Sequence, residues 1–177
     1  MKESIGEIYL ESVLYRFREN KKLAEAGLSQ LTDDQFTDCL TPGSNSVAVL
    51  LQHLHGNMLS RWTDFLTTDG EKTWRDRDGE FVLKPGLSRQ QRMEQWEEGW
   101  KCLFNSIEPL KSEDLTRRVK IRDYEFSVLD AIERQVFHIS YHIGQMLFIA
   151  KVLREGSWKY LSIPPGKSGA YKPKGRD

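Results

Sequence analysis

The chain's four histidines fall into two tight pairs, His53 with His55 and His138 with His142. Imidazole is the commonest side-chain ligand for a protein-bound metal, so such clustering asks first about metal chemistry. His138 and His142 form H-x-x-x-H. On a helix these positions stand one turn apart, with Cβ atoms roughly 6 Å from each other, close enough to share one ion. On a helical wheel they lie roughly 80–120° from the centre of the neighbouring apolar seam. Gln135 and Gln145 share their stripe, which is therefore polar but bordered by core positions, the composition expected of a site wall. No glutamate follows His138, so the zinc-protease motif H-E-x-x-H is absent. His53 and His55 lie among apolar residues, and either one, on a facing helix, would complete a three-histidine site with an open coordination position. The two point about 160° apart on a helix, so at most one joins, and spacing alone does not choose between them.

Four segments have the periodicity of helices able to position these residues. The first spans Ser4 to Ala26, with Gly27 as a stop, and Thr32-Asp33-Asp34-Gln35 has the form of a capping box that starts a short extra turn. The Pro42-Gly43-Ser44-Asn45 break precedes a second helix from Ser46 to Leu66. Residues 68–87 read as a long loop, and Ser88 caps a third helix ending near Pro109. Leu115 to Phe126 alternates weakly, as an extended connection or small hairpin does, and Ser127 then caps the most regular helix. In that helix Leu129, Ile132, Val136, Ile139, Ile143, Met146, Ala150 and Leu153 form an unbroken apolar seam. Phe137, Tyr141 and Phe148 lie on nearly the opposite side, so either the fold wraps that face or a second copy covers it in a homodimer. The pattern predicts an all-α, four-helix bundle over residues 1–163 with a long loop between helices 2 and 3, and a basic tail over 164–177.

Composition limits the alternatives. Lys+Arg and Asp+Glu both count 26 in 177 residues, which argues against a nucleic-acid binder needing a basic surplus. Cys39 and Cys102 make neither a disulfide framework nor a metal motif, and both read as buried or idle thiols. The acidic start lacks the form of a signal peptide, and the longest unbroken apolar run, Val47 to Leu51, is far short of the ~20 residues that span a bilayer. The expectation is a cytoplasmic protein with no membrane segment. Gly166-Lys167-Ser168 is not a phosphate loop, since Leu161 stands where the leading glycine belongs. Arg75, Arg77 and Asp78 read either as a solvated loop or as a clamp for an anionic cosubstrate. Asp130 and Glu133 share the helix of the H-x-x-x-H pair without being aimed at it, so no general base is identifiable.

Two stretches, Asn45 to Asn57 (N-S-V-A-V-L-L-Q-H-L-H-G-N) and Asp130 to Met146 (D-A-I-E-R-Q-V-F-H-I-S-Y-H-I-G-Q-M), resemble the DinB-like superfamily of metal-binding four-helix bundles. The resemblance is strongest at His138, His142, Gly144 and Gln145, and the segments Trp74 to Phe81 and Ser162 to Ser168 suggest a bacterial branch. It implies His53, His138 and His142 as ligands of a divalent metal, zinc or nickel, with His55 outside the pattern. Relatives in that superfamily include thiol-dependent transferases. The resemblance therefore implies S-transfer from a low-molecular-weight thiol to a small-molecule electrophile, and a homodimer. A metal-activated water would make a hydrolase of the same site, and a ligand-binding stress-response protein without turnover is the non-catalytic alternative.

Overall fold

A computed structural model of the chain describes residues 3–170. Five helices account for most of it: α1 (Ile5–Leu28), α2 (Asp33–Thr37), α3 (Val47–Trp62), α4 (Arg89–Ile107) and α5 (Val128–Leu153). Each starts where the sequence supplies a side-chain cap. Ser4, Thr32 and Ser88 form full capping boxes with Glu7, Gln35 and Gln91, and Ser46 and Ser127 accept from the third helical amide. Each such cap contributes about 0.5–2 kcal/mol. The last positions of the predicted helices differ from the observed ones for identifiable reasons. α1 continues through Gly27, because that glycine serves close packing: a Cβ there would lie 2.3 Å from Leu147. α3 stops at Trp62 and not at Leu66, because Asp64 takes a left-handed φ of 48° and its carbonyl accepts from Thr67 and Thr68.

The four long helices pack as two close pairs, α3 with α4 and α1 with α5, joined by contacts of α3 with α5 and of α1 with α4. α3 is the central element, with every residue from Val47 to Leu54 buried. Leu50, Leu51, Leu54 and Met58 are fully enclosed, each contributing about 1.5–3 kcal/mol relative to exposure. Trp62, Trp96 and Trp100 complete the α3–α4 side of the core.

Between Leu115 and Ser127 the weak alternation becomes a hairpin. β1 (Arg118–Ile121) pairs antiparallel with β2 (Tyr124–Ser127), with Val119 opposite Phe126 and Ile121 opposite Tyr124. Its two-residue turn, Arg122-Asp123, has φ of 55° and 64°, the primed-turn conformation that tight hairpins favour. The Asp69 carboxylate accepts from both turn amides, at 2.9 and 2.8 Å, and ties the hairpin tip to the loop that follows α3.

The α5 seam is buried at Ile132, Ile139, Ile143, Met146 and Ala150. Phe137, Tyr141 and Phe148 are 75%, 54% and 64% exposed, so the fold does not wrap that second face. α5 is also, among the described residues, the helix with the length and hydropathy to cross a bilayer, mean 1.2 over an 18-residue window. Counting unbroken apolar runs missed this because isolated polar residues interrupt the helix. It packs on α1 and α3, and a third of that window is buried. Of the basic tail, residues 164–170 are described and Lys172, Lys174 and Arg176 lie outside the described residues.

Candidate metal centre

His53 projects from α3 toward α5, where His138 and His142 occupy consecutive turns. The three imidazoles gather with one candidate ligand nitrogen from each, all within 4.8 Å of one another. His53 Nε2 lies 3.0 Å from His138 Nε2. Two nitrogens on one tetrahedral zinc, with bonds of about 2.05 Å, stand about 3.3 Å apart, so the spacing matches the edge of a coordination sphere. The ring centroids of His142 are 4.8 Å from His53 and 4.6 Å from His138.

The remaining ring nitrogens determine which lone pairs face the centre. Glu80 Oε2 is 2.8 Å from His53 Nδ1, and Gln145 Oε1 is 3.0 Å from His142 Nδ1. Both oxygens accept the Nδ1 proton, which turns the Nε2 lone pairs of His53 and His142 toward the shared centre. Without an ion, that of His53 accepts from His138 Nε2, and His138 Nδ1 is buried with no partner. Glu80 is itself held by Arg75 through two bonds, Nε to Oε1 at 2.7 Å and Nη2 to Oε2 at 2.9 Å. Burial opposes charge on this carboxyl, but the hydrogen bonds from Arg75 and His53 outweigh it and keep its pKa below the usual range. Burial, with the neighbouring imidazoles and the Arg75 and Arg61 charges, lowers His138 to about 3. Burial and His53 lower His142 to about 4, against the hydrogen bond to Gln145. Both rings are thus neutral at physiological pH, the protonation state a metal requires. The donor set fits a divalent ion.

Glu80 is the residue that sequence reasoning missed. It lies in the long 68–87 loop, in a 3-10 turn (Gly79–Phe81), where no helical or strand periodicity predicts direction. The loop is pinned to α3 by Gln52, whose amide nitrogen lies 2.9–3.1 Å from the carbonyls of Gly79, Glu80 and Val82. Phe81 stacks on His53 at a centroid distance of 4.5 Å. Gly56, one turn beyond His53, makes room: a Cβ there would lie 2.3 Å from Glu80 Oε1. A glycine inside an otherwise apolar helix was the one faint signal available.

The other candidate residues divide clearly. Gln135 is buried and donates to Asn57 at 3.0 Å, one turn beyond His53 along α3. His55 faces α4 and pairs with Glu98 at 2.9 Å. Glu133 accepts from Tyr9 and Asp130 from Ser127, so neither approaches the histidines. Arg75 belongs to the site as the partner of Glu80, whereas Arg77 and Asp78 are exposed. Cys39 is exposed, and Cys102 is half-buried with its thiol pKa pushed up by burial, opposite to an activated nucleophile. Above His53 and His138 opens a cavity of about 250 Å³, bounded by α3, the 75–77 loop, the hairpin and α5.

Fold and site together define a mostly helical protein with two buried histidines and one half-buried histidine able to hold a metal ion. The chain belongs to the family described as protein of unknown function DUF1572, whose model matches residues 4–167. No curated protein matches it.

Proposed function

We propose that the chain is a DinB-like four-helix bundle, residues 1–163 with a basic tail at 164–177, that holds zinc or nickel on His53, His138 and His142 and catalyses S-transfer from a low-molecular-weight thiol to an electrophile. The observation that carries this reading is the convergence of three imidazole nitrogens within 4.8 Å, beside a cavity with room for a small substrate. A divalent cation on three neutral ligands keeps its full charge and an open position, and supplies the Lewis acidity that deprotonates a thiol at neutral pH. Glu80 and Gln145 keep His53 and His142 in the ligating tautomer, and Phe81 covers one face of His53. In the transfer, the C–S bond forms as the bond to the leaving group breaks, and the thiol proton passes to solvent. The exposed Phe137, Tyr141 and Phe148 support a homodimer through the outer face of α5.

The test is a screen of small thiols against alkylating and epoxide electrophiles, with protein loaded with zinc or nickel and with chelator-treated protein. Chelator-sensitive conjugation, with stoichiometric metal by elemental analysis, supports the assignment. Chelator-sensitive turnover with water alone as acceptor replaces it with a hydrolase. Stoichiometric metal with no turnover leaves a binding protein.

A further inference from the structure

We propose that the cavity beside the three histidines binds a small organic oxyanion, a molecule carrying at least two carboxylate or phosphate groups. This deepens the proposed function by naming a substrate class for the same site, and it rests on that reading only for the position of the reacting group.

Five arginines line the cavity: Arg61, Arg75, Arg77, Arg122 and Arg134. They come from α3, the long loop, the hairpin turn and α5, so the fold has converged them from four separate segments. Acidic and basic residues are equal in number over the whole chain, so the concentration is local. No aspartate or glutamate side chain lines the cavity among the described residues. Two carboxylates behind it neutralise part of the charge. Glu71 lies 3.2 Å from Arg61 and 3.1 Å from Arg122, and Glu80 takes Arg75. Arg77 and Arg134 have no ion-pair partner among the described residues, and Arg134 lies over the Phe126 ring at 4.9 Å.

A second, independent observation comes from Arg75. Its side chain is only 2% exposed, yet Nη1 is buried with no hydrogen-bond partner, 3.7 Å from Glu71. Glu80 and Glu71 pair the charge of Arg75. A buried N–H donor without a hydrogen bond is nonetheless costly, and such groups in folded proteins almost always meet a ligand, an ion or water. Arg61 differs, since its Nη1 already donates to the Gly70 carbonyl and to Glu71. Glu71 already sits among Arg61, Arg75 and Arg122, so the charge left for a ligand is chiefly that of Arg77 and Arg134. The guanidinium fork matches carboxylate and phosphate alike. Ile121, Phe126 and Ala131 form an apolar wall, which favours an organic ligand over a bare ion. A volume of about 250 Å³ lies just under the range of small-molecule sites, which restricts the ligand to a few carbon atoms plus its charged groups.

The experiment is calorimetric titration of the full chain with inorganic phosphate and with succinate, in buffers matched for chloride, using zinc-loaded and chelator-treated protein. Saturable one-site binding of either anion is expected. Tighter phosphate binding assigns a phosphorylated ligand, and tighter succinate binding a dicarboxylate. Arg77→Gln and Arg134→Gln should each weaken binding about tenfold, the loss expected for one charge-assisted hydrogen bond, with unchanged Tm and zinc uptake. Absence of saturable binding by both anions, or binding indifferent to both substitutions, overturns the proposal. Anion binding by a protein that takes up no metal would sink the metal-centre reading alone. Zinc uptake without anion binding would sink the oxyanion site alone.

Discussion

His53 and His55 stand two residues apart on one helix, and each meets a carboxylate at nearly the same distance, 2.8 Å to Glu80 and 2.9 Å to Glu98. Only His53 gathers with further histidines into a group that could hold a metal ion. The side chains of His53 and Glu80 are 3% and 9% exposed, whereas those of His55 and Glu98 are 17% and 63% exposed. The other nitrogen of His53 faces His138 at 3.0 Å, and Arg75 holds its carboxylate from behind. Contact distance therefore does not distinguish a surface pair from a positioned ligand. What distinguishes them is desolvation and the neighbour of the second ring nitrogen, because both decide whether a lone pair is left aimed at a shared point.

The largest effect expected from this contrast is on metal uptake. His53→Ala should abolish stoichiometric zinc binding, measured by elemental analysis after dialysis, whereas His55→Ala should retain it. Uptake lost only in His55→Ala would reverse the ligand assignment. Next, Glu80→Gln should weaken zinc affinity about 10–100-fold, the usual cost of removing a carboxylate behind a ligating histidine, and Glu98→Gln should leave it unchanged. Competition with a chromogenic chelator reads both. Gly56→Ala should reproduce part of the Glu80→Gln loss without touching a charged group, because the added Cβ displaces the carboxylate. Gly144→Ala, on α5 with open space around it, should instead raise stability by up to about 1 kcal/mol.

A pH titration of the metal-free protein probes His138 and His142 more gently. The folded pKa values of His138 and His142, about 3 and about 4, lie below the ordinary value of 6.5. The unfolded chain therefore takes up protons first, so the stability these rings allow is present above pH 6.5 and is lost progressively as pH falls toward 3. The slope approaches about 1.4 kcal/mol per pH unit for each group. Denaturant midpoints that stay flat between pH 6.5 and 5 in the wild type would contradict the buried, neutral state of both rings. The smallest effect belongs to the surface: Glu98→Gln should change stability by no more than about 0.5 kcal/mol.

Much of this arrangement was legible in one dimension because it depends on local rules. Caps at Thr32, Ser88 and Ser127 follow from side-chain oxygens reaching backbone amides three residues on, and all three start helices. The H-x-x-x-H spacing places His138 and His142 on one face of any helix, whatever it packs against. Gly27 misled, because a glycine that ends a helix and a glycine that admits Leu147 look alike in sequence. Phe137, Tyr141 and Phe148 raised two answers, core or covered surface, and burial excludes the first. Glu80 was not legible: its direction depends on Gln52 holding three carbonyls of a loop without periodicity.

The histidines set out the chemistry, and helical periodicity put two of them together without any knowledge of the fold. Choosing His53 over His55 from geometry, turning Glu80 and Arg75 inward, and converging five arginines from four segments on one cavity were decided by tertiary structure. The physical reason is that helix spacing and capping act over three or four residues. The field and desolvation at a site depend instead on groups far apart along the chain, and only packing brings them within a few ångströms.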